Sequence, residues 1–146
     1  MCQHATPPTI DPTAVSRSTC EQSFPGQPGQ VRRARALLTR FLSGCPAGED
    51  TVLLVSELAT NAIAHSASGY PGGTFTVRAR LSDTGRVYAE VEDQGSGWDG
   101  NLASGEPPHG LYLLRQLSTT CGTRPTPHGH ITWFTITATN ATGQEP

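Results

Sequence analysis

Hydrophobic positions along this chain change from helical spacing to strict alternation twice over, and the changes mark out seven elements. In residues 30–43, Val31, Ala34, Leu37, Leu38, Phe41 and Leu42 recur at intervals of three and four, the spacing of one helix face. Gly44, Pro46 and Gly48 end that run. A second helix is predicted from about 47–50 to 66, with Val52, Val55, Leu58, Ala59, Ala62 and Ile63 as its apolar stripe. Glu49 and Asp50 fall at its positive end. The breakers in Ser68-Gly69-Tyr70-Pro71-Gly72-Gly73 predict a loop. Phe75, Val77, Ala79 and Leu81 then alternate with polar residues. After Asp83-Thr84-Gly85, Val87, Ala89 and Val91 do the same, which predicts a hairpin. Residues 94–108 are dense in Gly and Pro. A third helix is expected from Gly110 to about residue 117, and a last strand pair at 118–124 and 131–138.

The order helix, helix, strand, strand, helix, strand, strand predicts an α+β fold. It would be a two-layer sandwich whose mixed, mainly antiparallel sheet carries its helices on one face. Residues 1–22, rich in Pro, Thr and Ser, read as a disordered or loosely attached tail. Phe24-Pro25-Gly26 reads as a short edge strand or an ordered entry. The folded domain is expected over 23–139, with a frayed end at 140–146.

Composition narrows the function. The 146 residues suffice for one domain with its own core. No run approaches the ~20 apolar residues of a membrane span, and the start shows no signal peptide, so a cytoplasmic location is expected. A net charge of −2 offers no basic field for nucleic acid. All ten basic residues are arginine. Without lysine the chain cannot form a P-loop or a protein-kinase site of the eukaryotic type. Cys2, Cys20, Cys45 and Cys121 are scattered without a C-x-x-C pair, and are expected to be inert rather than disulfide-bonded or metal-binding.

Two segments carry candidate chemistry. In Glu57-Leu58-Ala59-Thr60-Asn61-Ala62-Ile63-Ala64-His65, Glu57, Asn61 and His65 fall within an arc of roughly 80° on one helix face. Taken alone, Glu57 and Asn61 more often mark a solvated helix face, and His65 reads as a cation at a helix C-terminus or a packed histidine rather than a ligand. In Asp93-Gln94-Gly95-Ser96-Gly97, Asp93 inherits the inward phase of Val87, Ala89 and Val91. It either caps a turn or places a carboxylate where it needs a hydrogen-bond donor. Together the segments suit a magnesium nucleotide. Asn61 offers a neutral oxygen to the metal, and Glu57 a proton acceptor. Asp93 offers an acceptor to an adenine amino group, while Gly95 and Gly97 let the backbone pass close to the base. The helix start His109-Gly110-Leu111 offers N–H groups to phosphate.

On these residues, with Gly129 through Trp133-Phe134, the chain resembles the bacterial anti-sigma regulatory factors. These are serine kinases within the superfamily of gyrase, Hsp90, histidine-kinase and MutL ATPases. The resemblance covers about residues 24–137 and implies a Bergerat-type ATP site. It further implies that Glu57 is the catalytic base, Asn61 the magnesium ligand and Asp93 the adenine-reading acid. Gly95 and Gly97 would flank the base, and Gly110 would be the phosphate-binding glycine, with His109 and Leu111 beside it. Residues 96–109 would form the ATP lid. The chain departs from the family where Pro108 and His109 stand in place of a glycine and an arginine-like residue, where Cys121 replaces a tryptophan, and where His130 replaces a basic residue near Gly129.

The function so implied is an ATP- and Mg2+-dependent serine/threonine kinase that phosphorylates a small anti-anti-sigma (STAS-type) protein. The alternative is a nucleotide-responsive, non-catalytic module that sequesters a sigma factor or another regulator. Both leave a homodimer open, and neither involves direct contact with nucleic acid or membrane.

Overall fold

The computed structural model describes residues 3–4, 16–95 and 109–137. Its elements in chain order are β1 (Gln3–His4), β2 (Ser16–Pro25), α1 (Pro28–Phe41), α2 (Gly48–His65), a 3-10 turn (Ala67–Gly69), β3 (Thr74–Ser82), β4 (Arg86–Gln94), α3 (His109–Leu117), β5 (Thr120–Pro125) and β6 (Gly129–Thr137). They form an α+β two-layer sandwich. The sheet order is β1-β5-β6-β4-β3-β2. Every pairing is antiparallel except that of the two-residue β1 with β5.

The alternation read from the sequence sets the inner face. Phe75, Val77, Ala79, Val87, Ala89 and Val91 are buried, as are Phe134 and Ile136 on β6. Against them pack Ala34, Leu38 and Leu42 from the α1 region and Leu54, Val55, Leu58, Ala59 and Ala62 from α2. α1 begins two residues before its predicted start because Pro28 occupies the first turn. There a missing N–H costs nothing and a fixed φ helps.

The other face of the sheet is polar and ion-paired. Arg78 reaches Glu90 at 2.7 Å, Glu92 at 2.9 Å and Glu21 at 3.1 Å. Tyr88 donates its hydroxyl to Glu90 and stacks on Trp133 at a centroid distance of 6.2 Å. Gly122 lies opposite Trp133, where a Cβ would come within 2.8 Å of the indole; the bare backbone there gives the ring its place.

The amino-terminal expectation needs correction. Residues 16–25, taken as tail and short entry, form a ten-residue edge strand on β3. The tail reading followed from a scarcity of apolar residues, but an edge strand needs only one sparsely apolar face and a ladder partner. Cys20 and Phe24 supply that face. Phe24 stacks on Phe75 at 5.4 Å, and Glu21 meets Arg78. The cysteine expectation also changes. Cys121 is disulfide-bonded, while Cys20 and Cys45 are free thiols.

Candidate nucleotide site

α2 carries Glu57 and Asn61, and both side chains are partly exposed. Neither makes a hydrogen bond or ion pair with another described residue, so both functional groups are uncommitted. His65, in the last turn, is exposed. The helix packs on β4 and α3 with its opposite stripe. The spacing of four that made a polar face in the sequence therefore makes one in the fold.

Asp93 lies near the end of β4 on the helix-facing side, opposite His130 of β6. Its side chain is only 13% exposed. The main-chain N–H of His130 donates to Asp93 Oδ1 at 3.0 Å, and the His130 ring nitrogen Nδ1 is 4.0 Å from the same oxygen. No other described residue bonds the carboxylate, so Oδ2 remains for a further donor. Burial pushes the Asp93 carboxyl up to about 6, against the opposing effects of the His130 N–H and the His130 charge. Both readings of Asp93 from the sequence had it bonded. The structure gives it a single strand partner across the ladder instead of a turn of its own.

The two segments are joined by a clasp that the sequence reading left as loop. After α2, Ser66 Oγ donates to the Ala62 carbonyl at 2.6 Å and accepts from Ser68 N at 3.1 Å. Ser68, fully buried, accepts the Gln94 N–H on its own Oγ at 3.0 Å. Gln94 in turn accepts from Thr74 N at 2.8 Å through Oε1. The carboxyl end of α2 is thus tied directly to the residue after Asp93. Asn61 lies one helical turn before that tie and Glu57 two turns before it. The available signal was the Ser-x-Ser pair after a helix, since such hydroxyls bond backbone locally.

Gly95 follows at φ +74° and donates its N–H to the His128 carbonyl. A Cβ there would lie 2.5 Å from that of Ala67. The glycine is therefore required by a left-handed turn and by the clasp packing over it, whatever passes on its other side. Gly129 is equally constrained, since a Cβ on it would come 2.0 Å from the Asp93 carbonyl oxygen.

α3 begins at His109, one residue before its predicted start, with Gly110 and Leu111 in its first turn. The side chains of His109 and Leu111, and all of residues 96–108, including Gly97, Pro108 and most of the expected lid, lie outside the described residues. Two open grooves among the described residues are lined elsewhere. One, of about 770 Å3, covers the polar sheet face around Arg78 and Glu90. The other, of about 440 Å3, lies where Leu42 and Gly44 of the α1 end meet Val52 and Leu53. Neither includes Glu57, Asn61 or Asp93.

The molecule is thus a two-layer sandwich with an uncommitted carboxylate and carboxamide on one helix, whose end is tied to Gln94, the residue after a largely buried acid on the facing sheet. The histidine kinase-like ATPase domain family matches residues 24–136, and the chain belongs to that family. Among solved structures, the RsbU and RsbW domains of Rv1364c from Mycobacterium tuberculosis share the fold. The TM-score is 0.62 at 23% identity, over 82% of this chain. The chain spans 32% of the length of that protein's chain. No curated protein matches it. No helix among the described residues is long and apolar enough to cross a membrane.

Proposed function

We propose that this protein is an ATP-dependent serine/threonine kinase of the anti-sigma regulatory type, acting on a serine of a small STAS-type anti-anti-sigma partner. The observation that carries the reading is the clasp. It sets the uncommitted Glu57 and Asn61 in one unit with an acid that keeps an oxygen free for a base. Family membership and the likeness to a protein with an RsbW domain support it.

In this reading Asp93 Oδ2 accepts the adenine amino group, and the bare backbone of Gly95 lies close to the base. Asn61 would hold magnesium through its carboxamide oxygen, and the metal would supply neutralisation of polyphosphate charge. The α3 start at His109, Gly110 and Leu111 directs main-chain N–H groups toward the phosphates. Glu57 takes the proton of the partner's serine hydroxyl. The serine oxygen bonds the γ-phosphorus, the bond from that phosphorus to the β–γ bridging oxygen breaks, and ADP leaves. The protein's share is positioning and charge neutralisation, which suffices for phosphoryl transfer.

Purified protein incubated with labelled ATP, magnesium and candidate STAS-type proteins tests this directly. Transfer to a serine is expected, with a loss of at least about 100-fold in Glu57→Ala. ATP binding without labelling of any partner would overturn the kinase assignment. Pro108 favours a second reading, a nucleotide-responsive module that sequesters a sigma factor or similar regulator, because proline lacks a phosphate-binding N–H. Under that reading, Glu57→Ala leaves partner capture intact.

A further inference from the structure

We propose that His130 is a positioning residue for the base-reading carboxylate, and that it makes adenine recognition by this chain dependent on pH. The inference rests on the reading of Asp93 as the adenine acceptor.

The geometry is specific to one pair. Asp93 and His130 are cross-strand partners on β4 and β6. The His130 N–H holds Oδ1 at 3.0 Å, which turns the carboxylate so that Oδ2 is the oxygen left for a ligand. The imidazole of the same residue stands 4.0 Å from Oδ1, with its side chain only 25% exposed. One residue therefore supplies both the orienting donor and the neighbouring titratable ring. The strands are held close by Gly129, where any side chain would strike the Asp93 main chain. A threonine or valine at position 130 would keep the N–H and remove the ring, so the two contributions are separable by substitution.

Among the charges around Asp93, those that act on its ionisation are the His130 ring, which favours it, and Glu92. On β4 itself Glu92 opposes ionisation of Asp93, but its carboxylate is paired to Arg78. β3 presents uncharged Thr74 and Thr76 at this end of the sheet, and the clasp presents Ala67 and Ser68. The β5–β6 loop adds His128, which meets Gly95 through its carbonyl. α2 contributes Glu57 and the exposed His65. α3 contributes Arg115. A carboxyl raised toward the neutral range by burial is partly protonated in mild acid, and its acceptor capacity falls with it. A cationic ring at 130 keeps the carboxylate ionised further down the pH scale; a neutral residue there does not.

The test uses the full chain and its variants His130→Val and His130→Arg, with the Asp93 carboxyl carbon followed by NMR from pH 4 to 8. ATP affinity is measured by calorimetry across the same range. The Asp93 midpoint is expected to rise by half a unit or more in His130→Val and to stay or fall in His130→Arg. In His130→Val, ATP affinity should match wild type at pH 8. At pH 6 it should be weaker than wild type by about twofold or more, since a midpoint raised from about 6 to about 6.5 cuts the ionised fraction from about one half to about one quarter. His130→Arg should restore binding at pH 6. An unmoved midpoint, or a loss of affinity equal at every pH, overturns the proposal. Absence of ATP binding by wild type at any pH would instead defeat the nucleotide reading, and the NMR titration would still decide whether His130 governs Asp93.

Discussion

Asp93 is a carboxyl held against its own preference for water. An ordinary aspartate titrates near 3.8, and burial raises this one to about 6. Between those values the folded chain binds more protons than the unfolded chain, so stability declines as pH rises through that range. At pH 7.5 the ionised, buried carboxylate costs about 2–3 kcal/mol of stability. Asp93→Asn keeps the acceptor for the His130 N–H and removes the charge. It is expected to raise the melting temperature of the nucleotide-free protein at pH 7.5 and to leave it nearly unchanged at pH 4, as calorimetry would show. The same substitution should abolish the rise in melting temperature that ATP produces. A variant that is more stable yet blind to ATP would mark Asp93 as a functional residue retained at a cost in stability. Under the proposed reading, discrimination between bases would rest on the same carboxylate. Guanine offers a carbonyl where adenine offers an amino group, and mismatched polar sites of this kind discriminate by ~10⁴. ATP is therefore expected to displace a fluorescent adenine nucleotide while GTP does not, and equal displacement would remove Asp93 from base recognition.

At the scale of elements, the site depends on how a helix end meets a strand end. The 3-10 turn after α2 places Ser68 beneath the Gln94 N–H, and Ala67 over Gly95. Ser68→Ala would leave that buried N–H unpaired, a loss of about 1–3 kcal/mol. Urea denaturation should register it, with ATP affinity falling beyond the change expected from unfolding alone. If affinity holds while stability drops, the clasp is structural only. This element was hidden in the sequence because Ser68-Gly69-Tyr70-Pro71-Gly72-Gly73 carries every breaker signal, and breaker composition does not say where a loop packs. The bounds of α2, by contrast, were legible almost to the residue, though its buried stripe takes in Thr51 and Leu54 and leaves Val52 and Ile63 only partly buried. Its apolar stripe had only one face to bury, and the polar residues spaced by four had to lie on the other.

On the scale of the whole molecule, the sheet is wider than the apolar pattern announces. β2 adds an edge along β3 from Ser16 to Pro25, with Phe24 buried and Glu21 paired to Arg78. A chain beginning at residue 23, the boundary that composition suggests, would lose most of this ladder and expose the edge of β3. We expect such a truncation to lower the melting temperature by 5 °C or more, about 1 kcal/mol or more for a domain of this size. A truncation without effect would mean that β2 contributes pairing without stability.

What the sequence by itself determined were the elements whose residues repeat with a period: α1, α2, the β3–β4 hairpin, α3 and the last strand pair, and with them the two-layer α+β arrangement. It also placed Glu57 and Asn61 on one helix face and Asp93 on the inward side of its strand, because a period of 3.6 or 2 assigns a side without knowledge of the neighbour. Only the tertiary structure decided which neighbour each side meets. That Asp93 is held by His130, 37 positions away, that Ser68 closes on Gln94, and that a polar stretch from Ser16 becomes an edge strand are all pairings between distant segments. Backbone hydrogen bonds and close approach at glycine set them, and neither leaves a periodic trace in the amino acids that make them.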